Sequence, residues 1–202
     1  MTFEKSAGQR IMAGFSGTDL NPDLKFLIDT IKVGGLILFS RNIENRTQLT
    51  QLCTDAQEYA RTCGLPPLLI SVDQEGGSVA RLKAPEFTEF PDAAQVRDAA
   101  EAAVFAETTA AELSAVGINM NMAPVLDVLD EDIDSVMARR AYSADPARVA
   151  RLGAAAIMHF QNNRVMSVAK HFPGIGRTTV DSHLERPDLE TPAEELTACD
   201  LD

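Results

Sequence analysis

The chain has 202 residues, 45% hydrophobic and 24% charged, with only 12 Gly and 10 Pro, which excludes disorder and collagen-like structure and fits one domain or at most two. Thirty acidic against eighteen basic residues give a formal charge of −12. That balance repels phosphate backbones, so nucleic acid is not the expected partner, and a neutral, locally recognised one is.

The three cysteines, Cys53, Cys63 and Cys199, form no even framework and no CxxC pair, so neither a disulfide scaffold nor a zinc ribbon is expected, and a reducing compartment fits best. The first ten residues mix charges and lack the ~7–15 apolar residues of a secretory signal. No segment approaches the ~18 consecutive apolar residues of a membrane span. The expectation is a cytoplasmic protein without a membrane partner.

In chain order, residues 34–39 (GGLILF) read as a buried strand. Leu49, Leu52, Cys53, Ala56, Tyr59, Ala60 and Cys63 then recur at helical spacing until Gly64 and Pro66 close the helix. Residues 68–72 (LLISV) are a second strand, and the Ala- and Glu-rich stretch 93–116 is a helix ended by Gly117. A third strand is expected over 118–128. Asp145 as N-cap with Pro146 in the first turn starts a helix running to about Gln161. Residues 165–169 are a fourth strand, and Thr191-Pro192 opens one more helix near the C-terminus.

Near-continuously apolar strands alternating with helices predict an α/β fold with a parallel sheet covered on both faces. Asp73, Asp127 and Lys170-His171 fall at or near the C-terminal ends of successive strands, where a βα-barrel places its active site. No GxGxxG follows a strand, which counts against a dinucleotide-binding sheet. The expected architecture is a (β/α)8 TIM-barrel-type domain of which residues 1–202 form about the first half, incomplete at the C-terminus. Such a half-barrel leaves sheet edges unpaired, so self-association through them is expected.

Three polar clusters carry candidate chemistry. The densest runs from Lys170 to His183 (KHFPGIGRTTVDSH), where a Gly/Pro-punctuated loop brings Asp181 within reach of His183 and can hold one imidazole tautomer. A surface loop with incidental polar residues is the plain alternative, and so many functional types at one strand end weigh against it. The second is DQEGGSVAR over 73–81: Gly76-Gly77 permits a sharp turn, and Asp73 can accept from two neighbouring hydroxyls. In the third, Arg139-Arg140 precede the Asp145 cap, with one Arg expected to be tied locally and the other to point toward the strand ends.

These blocks, in this order, resemble the N-terminal barrel domain of glycoside hydrolase family 3, in its bacterial β-N-acetylglucosaminidase (β-N-acetylhexosaminidase) branch. The resemblance runs through GQRIMAGF, VGGLILFSRNI, ISVDQEGGSVARL, INMNMAPVLDV, RRAYSADP and KHFPGIGRTTVDSH, nearly the whole chain. It implies a retaining glycosidase that removes terminal β-linked N-acetylglucosamine from cell-wall (muropeptide) fragments. By position, Asp73, Arg81, Arg140, Lys170 and His171 would bind the sugar, and His183 would be the general acid/base oriented by Asp181. No metal or cofactor is implied. Ile175 stands where the family commonly has His, Ser78 where an Arg is usual, and the nucleophilic Asp belongs to a later strand. Asp127 reads as structural support. A carbohydrate-binding remnant without turnover is the alternative, and a metal enzyme using His171, Asp181 and His183 is a third reading.

Overall fold

The structure is a computed structural model that describes residues 7–180, 186, 188, 189 and 191–201. Its centre is a five-stranded parallel sheet in the order β1-β2-β3-β6-β7, formed by β1 (Met12–Ala13), β2 (Gly35–Leu38), β3 (Leu69–Val72), β6 (Met120–Asn121) and β7 (Met166–Ser167). A small antiparallel hairpin, β4 (Gln74–Gly76) with β5 (Val79–Ala80), leaves the end of β3. Short elements escape the sequence reading: the β4–β5 hairpin, read only as a sharp turn; β1, whose two residues are too few for a period; and α1 (Pro22–Phe26), capped by Asn21 and extended by a π-helical turn over Leu27–Ile31.

The long helices start where their caps dictate. Helix α2 (Arg46–Thr62) begins behind Asn45, whose side chain accepts from the Gln48 amide, and it buries Leu49, Leu52, Cys53, Ala56 and Ala60. Cys63, expected on the same stripe, is instead the exposed C-cap. Helix α3 (Ala99–Ala115) begins six residues later than expected, because Asp98 receives the Ala100 and Glu101 amides and residues 93–95 form a separate 3₁₀ turn. Helix α4 (Pro146–Asn162) follows the Asp145 cap as expected, and α5 (Ala193–Cys199) lies near the C-terminus. Phe105 of α3 meets Phe160 of α4 edge-to-face at 5.7 Å and Phe90 at 5.2 Å, joining the helix layer to the sheet core of Leu36, Leu38, Ile70, Val72 and Ile118. Among the described residues no helix is long and apolar enough to cross a membrane.

The third strand is much shorter than the expected 118–128, for a physical reason. Asn119 accepts the Ile70 amide and donates to the Leu68 carbonyl, and Asn121 does the same with both backbone groups of Gln74. These two side chains mimic backbone amides and tie the chain to β3 beyond the two paired residues. Pro124 has no N–H to extend a ladder, and one isolated bridge from Val125 to Lys170 follows it. The polar clusters gather at the C-terminal end of the sheet, where backbone bonds from Val168 and Lys170 to Asn121, Ala123 and Pro124 continue past the paired residues.

Candidate active site

Asp73, one residue past β3, and Lys170, three past β7, meet with Lys170 Nζ 2.8 Å from Asp73 Oδ1. The same ammonium lies 2.6 Å from Glu75 Oε1. Glu75 in turn takes a two-pronged hydrogen bond from Arg140, Nε to Oε2 at 2.8 Å and Nη2 to Oε1 at 2.7 Å. Arg81 stands at the edge, its Nη2 3.6 Å from Asp73 Oδ2. The result is a chain of alternating charge, Arg81–Asp73–Lys170–Glu75–Arg140, across the strand ends. The hydrogen-bonded Glu75 carboxylate raises the Arg140 pKa against the effect of burial.

Glu75 was not among the sequence-derived site residues, although it lies inside DQEGG. Its role depends on contacts 65 and 95 residues away in the chain. The only local signal is a carboxylate beside a glycine turn after an apolar strand. That turn needs its glycines: Gly76 and Gly77 have φ of 97° and 53°, and a Cβ on Gly77 would fall 1.9 Å from Asp92 Oδ1. Gln74 locks the hairpin from within, accepting the Arg81 and Leu82 amides and donating to the Leu82 carbonyl.

His171 forms the next wall. Its Nδ1 is 2.7 Å from Asp127 Oδ2, and Asp127 Oδ1 accepts the Ile175 amide at 2.8 Å. The Asp127 side chain has no exposure and His171 retains 29%. With Asp127 Oδ2 as the acceptor, Nδ1 donates and Nε2 is left as the available ring nitrogen. Asp127 is therefore the support expected of it, with a defined object: the ring orientation of His171 and the loop that follows.

The two departures from the family pattern are absorbed locally. Ile175 packs with Val125, Met137, Ala141 and Leu129. The Ser78 amide donates to Asp92 Oδ1 at 2.8 Å, and Arg139 reaches Asp92 Oδ2 through Nε at 2.7 Å and Nη2 at 2.6 Å. Of the Arg pair, Arg140 points to the strand ends as expected, whereas Arg139 is tied not locally but to Asp92, 47 residues away. Burial pushes Asp92 up, but the Ser78 and Arg139 hydrogen bonds outweigh it and hold the carboxyl below its ordinary value.

Five of the seven predicted site residues, Asp73, Arg81, Arg140, Lys170 and His171, thus converge at one end of the sheet. Asp181 and His183 lie outside the described residues. The set Asp73, Glu75, Arg140 and Lys170 offers both acceptors and donors within a few ångströms. Asp73 Oδ2, whose contact among the described residues is the 3.6 Å one to Arg81, retains acceptor capacity for a hydroxyl.

The profile of the glycosyl hydrolase family 3 N-terminal domain matches residues 3–202. This chain belongs to glycoside hydrolase family 3. It is 36% identical over 195 residues to a β-hexosaminidase of Pseudomonas aeruginosa, a match covering 95% of this chain and 57% of that protein. A family 3 β-N-acetylglucosaminidase from Paenibacillus sp. superposes with a TM-score of 0.92 at 38% identity, over 100% of this chain and 39% of that one. NagZ from Neisseria gonorrhoeae, solved in complex with N-trifluoroacetyl-D-glucosamine, superposes with a TM-score of 0.84 at 34% identity, over 95% and 57%. The fold is accordingly the (β/α)8 barrel type, with about its first half represented in these residues. The chain spans little more than half the length of the P. aeruginosa relative.

Proposed function

We propose that these 202 residues are the N-terminal part of a barrel domain and carry the N-acetylglucosamine-recognising wall of a retaining β-N-acetylhexosaminidase acting in the cytoplasm on cell-wall (muropeptide) fragments. The observation that supports this most is the Arg81–Asp73–Lys170–Glu75–Arg140 chain at the strand ends, beside a His171 held by Asp127. Sugar hydroxyls both donate and accept. Asp73 Oδ2 and His171 Nε2 would accept from hydroxyls, while Lys170 and Arg140 would donate to hydroxyl oxygens.

In this reading His183 protonates the leaving oxygen, Asp181 orients it, and a carboxylate from outside these residues attacks the anomeric carbon to give a covalent glycosyl-enzyme. His183 then deprotonates water in the second step. An imidazole with an ordinary pKa of ~6.5 serves both steps near neutrality without the burial that would raise a carboxyl.

A second reading, binding without turnover, draws support from the commitments of Asp73, Glu75 and Asp127. Each is already hydrogen-bonded to a cation or an imidazole, so none is free to act as nucleophile. Release of 4-nitrophenol from its β-N-acetylglucosaminide, run with His183→Ala alongside, tests the two. Turnover lost in the variant supports the hydrolase. Saccharide binding without turnover by these residues alone fits a recognising wall whose nucleophile lies outside them as well as the second reading, and absence of both binding and turnover refutes the two together. Self-association belongs to the same proposal: β1 and β7 are the sheet's edge strands, and Phe172 beyond β7 is 86% exposed. A concentration-independent monomer in sedimentation would refute that part.

A further inference from the structure

Asp92 lies outside every predicted block, yet it joins the two loops on which the Glu75–Arg140 pair depends. Residues 90–96 form a strap over the β4–β5 hairpin. The Phe90 carbonyl accepts the Gly77 amide at 2.8 Å, and Asp92 Oδ1 accepts the Ser78 amide at 2.8 Å. On the other side, the Ala94 amide donates to the Arg139 carbonyl at 3.3 Å, while the Arg139 guanidinium closes on Asp92 Oδ2. One buried carboxylate thus bridges the turn after Glu75 and the residue before Arg140.

Packing holds the strap only at points, through Phe90 on Phe105 and through Ala93 and Val96 against the Tyr142 cluster. A half-open cavity of about 590 Å³ lies between it and α3, lined by Phe90, Val96, Phe105, Tyr142 and Glu75. Beside those contacts, four polar ties fix the strap's register over the hairpin. Three of these are single backbone or amide hydrogen bonds, and the fourth is the charge-assisted two-pronged contact from Arg139.

We propose that Asp92 is a positioning residue for the saccharide site. Through the Ser78 amide and Arg139 it holds the hairpin bearing Glu75 and the loop bearing Arg140 in register. Arg140 then presents its guanidinium to Glu75 at fixed geometry, and Glu75 aligns Lys170 with Asp73. The inference rests on the reading of that site as one for N-acetylglucosamine. It adds a requirement which the sugar-contacting residues do not contain.

The test compares the chain with its Asp92→Asn, Arg139→Lys and Arg139→Ala variants, and with Arg97→Ala, which removes an exposed guanidinium paired to Glu101 next to the same strap. Two quantities are read: the hydrogen-exchange rate of the Arg140 Nε–H by NMR, and the affinity for N-acetylglucosamine. Asp92→Asn is expected to speed exchange and to weaken binding roughly tenfold, the loss of one charge-assisted contact of about 1.4 kcal/mol. The unfolding midpoint should fall modestly while the transition stays a single cooperative one, as in Arg97→Ala. Arg139→Lys should recover part of what Arg139→Ala loses. Unchanged exchange at Arg140 in Asp92→Asn overturns the proposal, as does a fall in affinity matched by an equal effect in Arg97→Ala. An unaltered chain that binds no N-acetylglucosamine refutes the functional reading instead, and the Arg140 exchange rate alone then decides whether the bridge positions that side chain.

Discussion

Two charged clusters sit at the same end of the sheet and are built in opposite ways. In the first, Glu75 and Asp73 face Lys170, Arg140 and Arg81, and the Glu75 carboxylate, 4% exposed, receives three short contacts. In the second, Arg177 reaches Glu195 at 3.1 Å and Asp200 at 3.6 Å. There the Arg177 Nε and Nη1 and the Asp200 Oδ2 are buried without a hydrogen-bond partner among the described residues. The first cluster hangs from strand ends and a strand-borne hairpin, so its geometry is inherited from the sheet. The second is carried by the loop after β7 and by the α5 region. The lesson is that ion pairs are only as well satisfied as the backbone that aims them.

The pKa directions follow the same division. Arg140 is pushed up by its hydrogen-bonded partner, Glu75. Asp200 is pushed up by burial, with Arg177 recovering only part of the loss. Gly174 and Gly176 bring the second cluster close to the core, since a Cβ on Gly176 would fall 2.0 Å from the Val128 carbonyl.

The largest contrast should come from truncating one carboxylate in each cluster. Glu75→Ala leaves Lys170 and Arg140 without their shared anion and is expected to cost about 3–5 kcal/mol in urea unfolding. Asp200→Asn removes a charge that burial already disfavours, with an expected cost of about 1 kcal/mol or less. Equal costs would erase the distinction between the clusters.

Asp127→Asn comes next. Removing the buried charge that faces His171 should cost about 1.5–3 kcal/mol, the worth of a hydrogen bond to a charged group. It should also shift the His171 ring nitrogens in ¹⁵N NMR toward a mixed tautomer. An unmoved tautomer would show that Asp127 does not orient the ring.

A smaller effect is the acid response, in which two carboxylates act with opposite sign. Asp92 is held below its ordinary value, so its contribution is complete above the normal carboxylate range and is lost as pH falls through its folded pKa. Asp200 is raised, so its ionisation weakens the fold as pH rises from the ordinary carboxylate value through the folded one. Asp92→Asn should therefore flatten the acid limb of a stability–pH curve, and Asp200→Asn should steepen it. Parallel curves would refute both directions.

The smallest expected effect concerns thiol reactivity and leaves the fold unchanged. Burial pushes the Cys53 thiol up to about 12, whereas Cys63 is exposed at the end of α2. Iodoacetamide should label Cys63 first and reach Cys53 only on unfolding, as mass spectrometry of the peptides would show. Equal labelling under native conditions would mean that the helix face is open.

What could be read from the residues in order was what depends on neighbours in order. The helical stripe of Leu49, Leu52, Cys53, Ala56 and Ala60, the Asp145-Pro146 start and the apolar runs of β2 and β3 are local patterns, and they appear nearly in place. The length of the third strand did not follow from its apolar character, because Pro124 has no N–H to continue the ladder. Motif resemblance located Asp73, Arg81, Arg140, Lys170 and His171, but it gave no account of what holds them.

That account is tertiary. Lys170 and Asp73 meet across 97 residues, Arg140 and Glu75 across 65, Arg139 and Asp92 across 47, and His171 and Asp127 across 44. Periodicity and capping are written within a few residues of chain, whereas a carboxylate acquires its cation only when parallel strands bring their ends side by side. Sequence alone determined the long helices and the apolar runs of β2 and β3. The folded sheet decided which charge faces which, because only it brings residues dozens of positions apart side by side, and therefore which carboxylates are committed to a cation.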